Sequence, residues 1–219
     1  METIHSASSI PVRIVEALER IATALKSDDW ARARVIGVNP TQLAILRALD
    51  GRPRGLSVKA LALQLGVSQP TVTDSISALE RKSLVEKHAD PSDGRSVCIM
   101  LADAGKNAVR EGEGIPGGVG KAVAALEGGQ QEQLLLQLIS VIRLLQEQGA
   151  IPVQRMCVSC RYFRPNAHAD AAKPHYCHFV DAAFGQQDLR IDCRDHESAV
   201  AELMNSGALN FSGKVAPVT

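Results

Sequence analysis

Apolar side chains recur at helical spacing through the first part of the chain. Between Ile10 and Ile36, the residues Ile14, Leu18, Ile21 and Leu25 share one stripe, Val15 and Ala22 widen it, and charges take the other faces, which predicts an amphipathic helix. Pro40 stands where a first helical turn tolerates proline, and TQLAILRALD after it puts Leu43, Leu46 and Leu49 on one side of a short helix ending near Gly51. Val58, Leu61, Ala62 and Leu65 then repeat at i, i+3, i+4 and i+7. Beyond the turn at GVS, the residues Val72, Ile76 and Leu79 form the stripe of another helix, opened by Ser68. Two helices meeting at a four-residue corner around Gly66 read as a helix-turn-helix.

The period then changes. LVEKHA and SVCIML are short runs suited to strands, and the Pro, Asp and Gly of DPSDGR between them predict a hairpin. A hairpin directly after the second helix of a helix-turn-helix is a wing. Opposite its apolar stripe, that helix carries Pro70, Asp74, Ser77 and Arg81, flanked by Thr71 and Thr73. Together with Ser68 and Gln69 at the helix start these are candidates to face base edges, with Lys82 suited to phosphate. Arg95 near the wing tip suits the narrow, negative minor groove. Asp74 is the odd member, because a carboxylate facing DNA repels phosphate unless it accepts from a cytosine amino group or pairs with Arg81 or Lys82.

A third apolar pattern lies in EQLLLQLISVIRLLQEQG. Leu134, Leu138, Val141, Ile142 and Leu145 share a face, and Leu135, Ile139 and Leu144 make the belt wide enough to pack on two sides. The glycines of GEGIPGG break the helix before it, as a hinge or as a simple loop.

From Ile10 to Leu145 the chain resembles the MarR-type winged-helix regulators (multiple antibiotic resistance regulators). The resemblance rests on SVKALALQLGV as supporting helix, SQPTVTDSISALERKSLVEK as recognition helix, DGR as the Asp-x-Arg of the wing, and LADAGK, which is similar to the family's Leu-Thr-x-x-Gly. It implies that Asp93 braces the wing, that Arg95 touches DNA, and that a homodimer binds a double-stranded DNA operator. It also implies interlocking terminal helices, so Ile14, Leu18, Ile21 and Leu25 with Leu134, Leu138, Val141, Ile142 and Leu145 are the candidate dimer interface. The sequence departs from the pattern at Asp74, where the family often has a basic residue, at Ser83 for Gly, and at Ala102 for Thr. A small-molecule ligand between the dimer and DNA-binding parts stays open.

Charge adds a constraint. The 219 residues balance 24 basic against 24 acidic side chains, and Arg52 to Arg95 holds seven basic against five acidic, so tight DNA binding needs a dimer that doubles the footprint. The first residues, METIHSASSI, do not read as a secretory signal, and the most apolar run, LLLQLISVIRLL, is too short to span a bilayer, so a soluble cytoplasmic protein with no membrane partner is expected. No phosphate loop, His-Glu-x-x-His or nucleophile elbow is present, and an enzyme is not expected.

Four of the five cysteines, Cys157, Cys160, Cys177 and Cys193, fall within 37 residues at C-x2-C-x16-C-x15-C. In a reducing compartment such a cluster points to a metal rather than to disulfides, and four thiolates can close a tetrahedral set on zinc or hold an iron-sulfur cluster. Isolated third and fourth ligands favour the larger object. Tyr162, Phe163, Tyr176, Phe179 and Phe184, five of the chain's six Phe and Tyr residues, can form a dry shell around it. His168, His175, His178 and His196 are near enough in sequence to replace a thiolate, and Arg161, Arg190 and Arg194 can offset thiolate charge. CVSCRYF and YCHFVDAAFG are similar to the ligand segments of the high-potential iron-sulfur proteins, although IDCRDHE stands where that family often has Gly-Trp before the last cysteine. The resemblance implies a cluster, of the 4Fe–4S type, with zinc as the alternative.

The expected fold is mainly α with a small β-hairpin wing, that is, a winged helix-turn-helix with a helical dimerisation region, plus a small C-terminal metal-binding domain. The expected divisions are residues 1–149, 150–203, and a small, polar, disordered tail over 204–219. The expected function is a DNA-binding regulator of the MarR type whose cysteine centre senses redox state, oxygen, nitric oxide or iron. A purely structural zinc site and an electron carrier with a vestigial winged helix are the alternatives.

Overall fold

Residues 8–89 and 97–199 are described in a computed structural model of the chain. Asp93, Arg95 and the tail over 204–219 lie outside the described residues. Clustering of contacts divides the chain into two compact units, Met1–Glu127 and Gly128–Thr219.

In the first unit, helix α1 (Ile10–Val35) opens on a first-turn proline and closes with Arg32 and Arg34 in its last turn, where cations offset the helix dipole. Helix α2 (Pro40–Leu49) starts from a reciprocal cap: Asn39 Oδ1 accepts the Gln42 amide at 2.8 Å while Gln42 Oε1 accepts the Asn39 amide at 3.2 Å. Strand β1 (Leu56–Ser57) leads into helix α3 (Val58–Leu65), which Gly66 ends in a left-handed conformation at φ 64°. Helix α4 (Gln69–Arg81) is capped by Ser68, whose hydroxyl accepts the Thr71 amide at 3.3 Å.

Strands β2 (Val85–Ala89) and β3 (Val97–Leu101) pair antiparallel from Val85 opposite Leu101 to Ala89 opposite Val97. They form the expected hairpin. The sheet has a third strand that alternation did not predict, because β1 is only two residues long; it pairs with β3 and gives the order β1–β3–β2. Ile45, Leu46, Leu49, Leu61, Val72, Ile76, Leu79, Val85, Ile99 and Val109 form the core, so the stripes read from α2, α3 and α4 all turn inward onto the sheet. Ser83, in the place of the resembled family's glycine, has φ 56°, a conformation that costs an L-residue roughly 1–2 kcal/mol.

Helix α5 (Asp103–Glu113) follows β3, and Gly105 in its first turn lies so close to Leu84 that an added Cβ would stand 2.0 Å from the Leu84 carbonyl oxygen. The break at GEGIPGG yields a further short helix, α6 (Gly118–Ala124), whose first amides donate to Asp28 of α1: Gly118 to Oδ1 at 2.9 Å and Val119 to Oδ2 at 3.2 Å. Among the described residues no helix is long and apolar enough to cross a membrane.

In the second unit, helix α7 (Gly128–Glu147) and the cysteine segment share one core of Ile139, Met156, Val158, Phe163 and Leu189, with Leu135, Leu136, Ile142 and Phe184 packed against it. The division between the two compact units thus falls before α7. The reason is the second apolar face of α7, which buries Ile139 against the cysteine segment. Short strands β4 (Phe163–Arg164), β5 (His175–Cys177) and β6 (Ala182–Phe184) pair antiparallel in the order β4–β5–β6.

Candidate nucleic-acid interface and cysteine centre

Helix α4 buries Val72, Ser75, Ile76 and Leu79 and leaves Gln69, Pro70, Thr71, Thr73, Asp74 and Arg81 exposed, with Ser77 half-buried. All of these sequence-derived positions but Ser77 are open to solvent. Their hydroxyls are largely committed within the helix: Thr73 Oγ1 donates to the Gln69 carbonyl and Ser77 Oγ to the Thr73 carbonyl, each at 2.9 Å, while the Ser68 and Thr71 hydroxyls share a hydrogen bond at 2.8 Å. Asp74 has no hydrogen bond or ion pair among the described residues. Lys82, expected at a phosphate, donates from Nζ to the Gly37 carbonyl, and Lys87 of β2 pairs with Glu80 at 2.7 Å. The tie of Lys82 back to the loop after α1 was not readable from sequence, since 45 residues separate the partners.

The candidate dimer residues divide into two sets. Ile14, Leu18, Ile21 and Leu25 are exposed along α1, at 52, 38, 45 and 43%. On α7, Leu134, Leu138, Val141 and Leu145 are likewise exposed, whereas Ile142 turns to the core shared with the cysteine segment. Both exposed stripes step by four, three and four residues, the spacing of a coiled-coil seam.

The four cysteines come together. Cys157, Cys160, Cys177 and Cys193 all line one cavity of about 130 Å³, walled by Tyr162, Phe163, Phe179, Val180, Ala182 and Phe184, with Asp188, Arg190 and Asp195 at its edge. A short 3-10 turn (Cys157–Ser159) presents the first pair, and Cys177 ends strand β5. The ends of the segment are sewn together: the Cys157 amide donates to the Arg190 carbonyl at 3.0 Å, the Cys193 amide to the Arg155 carbonyl at 2.8 Å, and Arg155 pairs with Asp192 at 2.7 Å.

Arg190 is the arginine that reaches the thiols. Its amide donates to Cys157 Sγ at 3.3 Å and its Nη1 lies 3.8 Å from Cys193 Sγ. Burial pushes the Cys157 thiol up, against the lowering effect of the Arg190 amide, and the other three cysteines also raise it. Metal binding must therefore displace a proton there. Arg161 instead stacks on Tyr162 and pairs with Glu197.

Four of the five aromatics line the cavity; Tyr176 turns away to donate to Asp181 and contact His168 and His178. None of the four candidate histidines lines the cavity. His175 is fully buried, with Nδ1 accepting the Asn166 amide at 3.2 Å between Phe163 and Phe184, and burial lowers its pKa. His196 shares a hydrogen bond with Ser159 at 3.0 Å. Sequence reading missed Gln146, which joins α7 to the first cysteine: its Oε1 accepts the Gln154 amide at 2.7 Å and its Nε2 lies 3.6 Å from Met156 Sδ.

Residues 36–96 match the model of the MarR family, which spans the region from the end of α1 to the wing. A Thauera aromatica protein described as a transcriptional regulatory protein for the hcr operon is 30% identical over 73 residues, covering 33% of this chain. The match spans 43% of that relative, less than half of its length. Among solved structures, CouR from Rhodococcus jostii bound to p-coumaroyl-CoA is similar at TM-score 0.54 and 18% identity over 67% of this chain and 98% of its own. BldR from Sulfolobus solfataricus is similar at TM-score 0.52 and 21% identity over 63% of this chain and 97% of its own. These two likenesses establish the fold of that part of the chain.

Proposed function

We propose that this protein is a DNA-binding transcriptional regulator of the MarR type, acting as a homodimer, whose four-cysteine unit holds a metal centre that couples operator binding to redox state, oxygen, nitric oxide or iron supply. The exposed polar face of α4, capped by Ser68 and followed directly by a hairpin, carries the DNA-binding part. The family match over residues 36–96 covers both elements.

Four thiolates can hold either an iron-sulfur cluster or a single zinc ion. All four cysteines line one cavity, whose size favours the larger group. That cavity, about 130 Å³, is several-fold larger than the 10–15 Å³ or so that one water requires. Its aromatic walls shield the partly exposed cysteines on one side, a lever on cluster potential and lifetime.

A cluster of the 4Fe–4S type would supply electron exchange and sensitivity to oxidants. The chain's residues supply the rest: Cys157, Cys160, Cys177 and Cys193 hold the group, Arg190 offsets its charge, and Gln146 connects the Cys157 turn to α7. Release of the thiols would loosen the core that positions α7, whose outer stripe is a candidate dimer surface. Two recognition helices must span half-sites about one DNA turn apart, so a changed dimer changes affinity.

Purification without oxygen followed by iron, sulfide and zinc assays and DNA selection tests the reading. Expected are a brown protein with iron and sulfide, a selected palindromic site, and an affinity for it that differs between the intact protein and Cys157→Ala. One zinc per chain and no iron would overturn the sensing part, and the absence of any preferred site would overturn the regulator.

A further inference from the structure

Among the described residues the exposed carboxylate on α4 has no partner to explain it. Arg81 and Lys82, at the C-terminal end of the same helix, were the cations expected to neutralise Asp74, and the structure uses neither: Lys82 is on the Gly37 carbonyl, and Arg81 is not within ion-pair distance of Asp74. Asp74 sits in the first half of α4, the half that a recognition helix turns toward base edges. Facing DNA, a carboxylate is repelled by phosphate, so the position is tolerable only where a donor meets it.

The residues around Asp74 narrow the choice further. Thr73 and Ser77 have spent their hydroxyl protons on the helix backbone, so toward a groove they offer mainly lone pairs. This part of α4 thus presents acceptors. In the major groove, guanine shows only acceptors, and thymine an acceptor and a methyl group. Adenine places an acceptor beside its amino group, while cytosine shows an amino donor without an adjacent acceptor on its own edge. A carboxylate flanked by acceptors matches cytosine best.

We propose that Asp74 is a specificity-determining residue that accepts a hydrogen bond from the N4 amino group of a cytosine in the major groove, making cytosine the selected base at one position of each half-site. The proposal rests on the DNA-binding reading and identifies the base chemistry which that site takes. Asp74 then contributes discrimination rather than affinity.

Selection from a randomised duplex pool with the full-length protein, Asp74→Ala and Asp74→Asn tests it. Asp74 is exposed, so all three should fold and melt alike. The wild type is expected to select cytosine at one position per half-site and to lose roughly 5- to 150-fold in affinity when it is replaced. Asp74→Ala is expected to accept any base there with the other positions unchanged, and Asp74→Asn to shift the preference toward adenine. In the wild-type site, replacing that cytosine by 2-pyrimidinone, which lacks only the amino group, should weaken the wild type and leave Asp74→Ala unaffected. The same base preference at every position in all three proteins would overturn the role of Asp74 while leaving the regulator intact. A wild type that selects no site would overturn the DNA-binding reading itself.

Discussion

The Arg190 amide donates to Cys157 Sγ at 3.3 Å while its guanidinium lies 3.8 Å from Cys193 Sγ, so one residue touches the first and the last of four cysteines. Leu189, buried beside it, and the Cys157 amide on the Arg190 carbonyl hold it in register. Hydrogen bonds and positive charge at the sulfurs are levers on the potential of a thiolate-bound centre. Replacing Arg190 by Gln keeps the amide and removes the charge. The expected outcome is retained metal, a lower reduction potential and faster loss of metal to a chelator, by up to about fivefold because the side chain is exposed to solvent. Electrochemistry and chelator-dependent bleaching measure both, and unchanged values in the variant would exclude a role for the guanidinium.

Gly105 has no room for a side chain, since a Cβ would stand 2.0 Å from the Leu84 carbonyl oxygen and 3.1 Å from Leu101. Leu84 precedes the wing and α5 follows it, so the contact clamps the two ends of the hairpin. Gly105→Ala is expected to lower stability by about 1–3 kcal/mol, although alanine is the better helix former. Urea denaturation of the two proteins decides it, and a more stable alanine variant would show that the contact is not tight in solution.

Asp28 connects α1 to α6. The Gly118 and Val119 amides hold its carboxyl below the usual 3.8, with Arg32 and Lys121 adding to the effect. A carboxylate depressed in the folded state contributes stability that is present above its unfolded value and is lost as the pH falls through the folded one. The wild type should therefore melt higher than Asp28→Asn near neutral pH, and the gap should close as the pH drops below 3.8. Parallel melting curves from pH 6 down to about 2 test this. A gap that stayed constant with pH would mean that the carboxylate's charge is not what stabilises α6.

Among the exposed apolar residues of α1, Ile14, Leu18, Ile21 and Leu25 form one stripe. Their seam spacing suits a second copy of the chain. Leu18→Glu combined with Ile21→Glu is expected to halve the mass seen by light scattering and to weaken operator binding at least tenfold, because each protomer then binds one half-site. A wild type that is already monomeric at micromolar concentration would overturn the assignment of these residues.

Much of the winged helix was legible because its elements obey one period at a time. The stripes of α2, α3 and α4 point at a single core, Gly66 and Ser68 mark the corner chemically, and the strands on either side of DPSDGR pair, so pattern and local chemistry agree. Strand β1 escaped notice because two residues carry no alternation, and α6 because its seven residues are mostly glycine, alanine and valine. The substitution at Ser83 was visible as a departure from the resembled family; its meaning, a left-handed backbone carried by a residue with a side chain, needed φ 56°. In the cysteine segment, spacing gave four thiols close in sequence, and only the folded segment shows that all four line one cavity. That Arg190 reaches them, and that the histidines do not line the cavity, depended on how the short strands fold back.

The sequence by itself determined the local structure: helices and hairpin follow from spacing, caps and turn residues that act within a few positions of one another. It also supplied the chemical inventory, four thiols and one misplaced carboxylate. Only the tertiary structure decided how inventory becomes site. It assigned α7 to the cysteine unit, because one of its two equally apolar faces buries Ile139 against Met156 and Phe163. It brought Lys82 to Gly37 across 45 residues, and among the described residues it places no cation on Asp74. Such pairings join residues far apart in the chain, and their energies depend on packing and solvent exposure that no local pattern encodes.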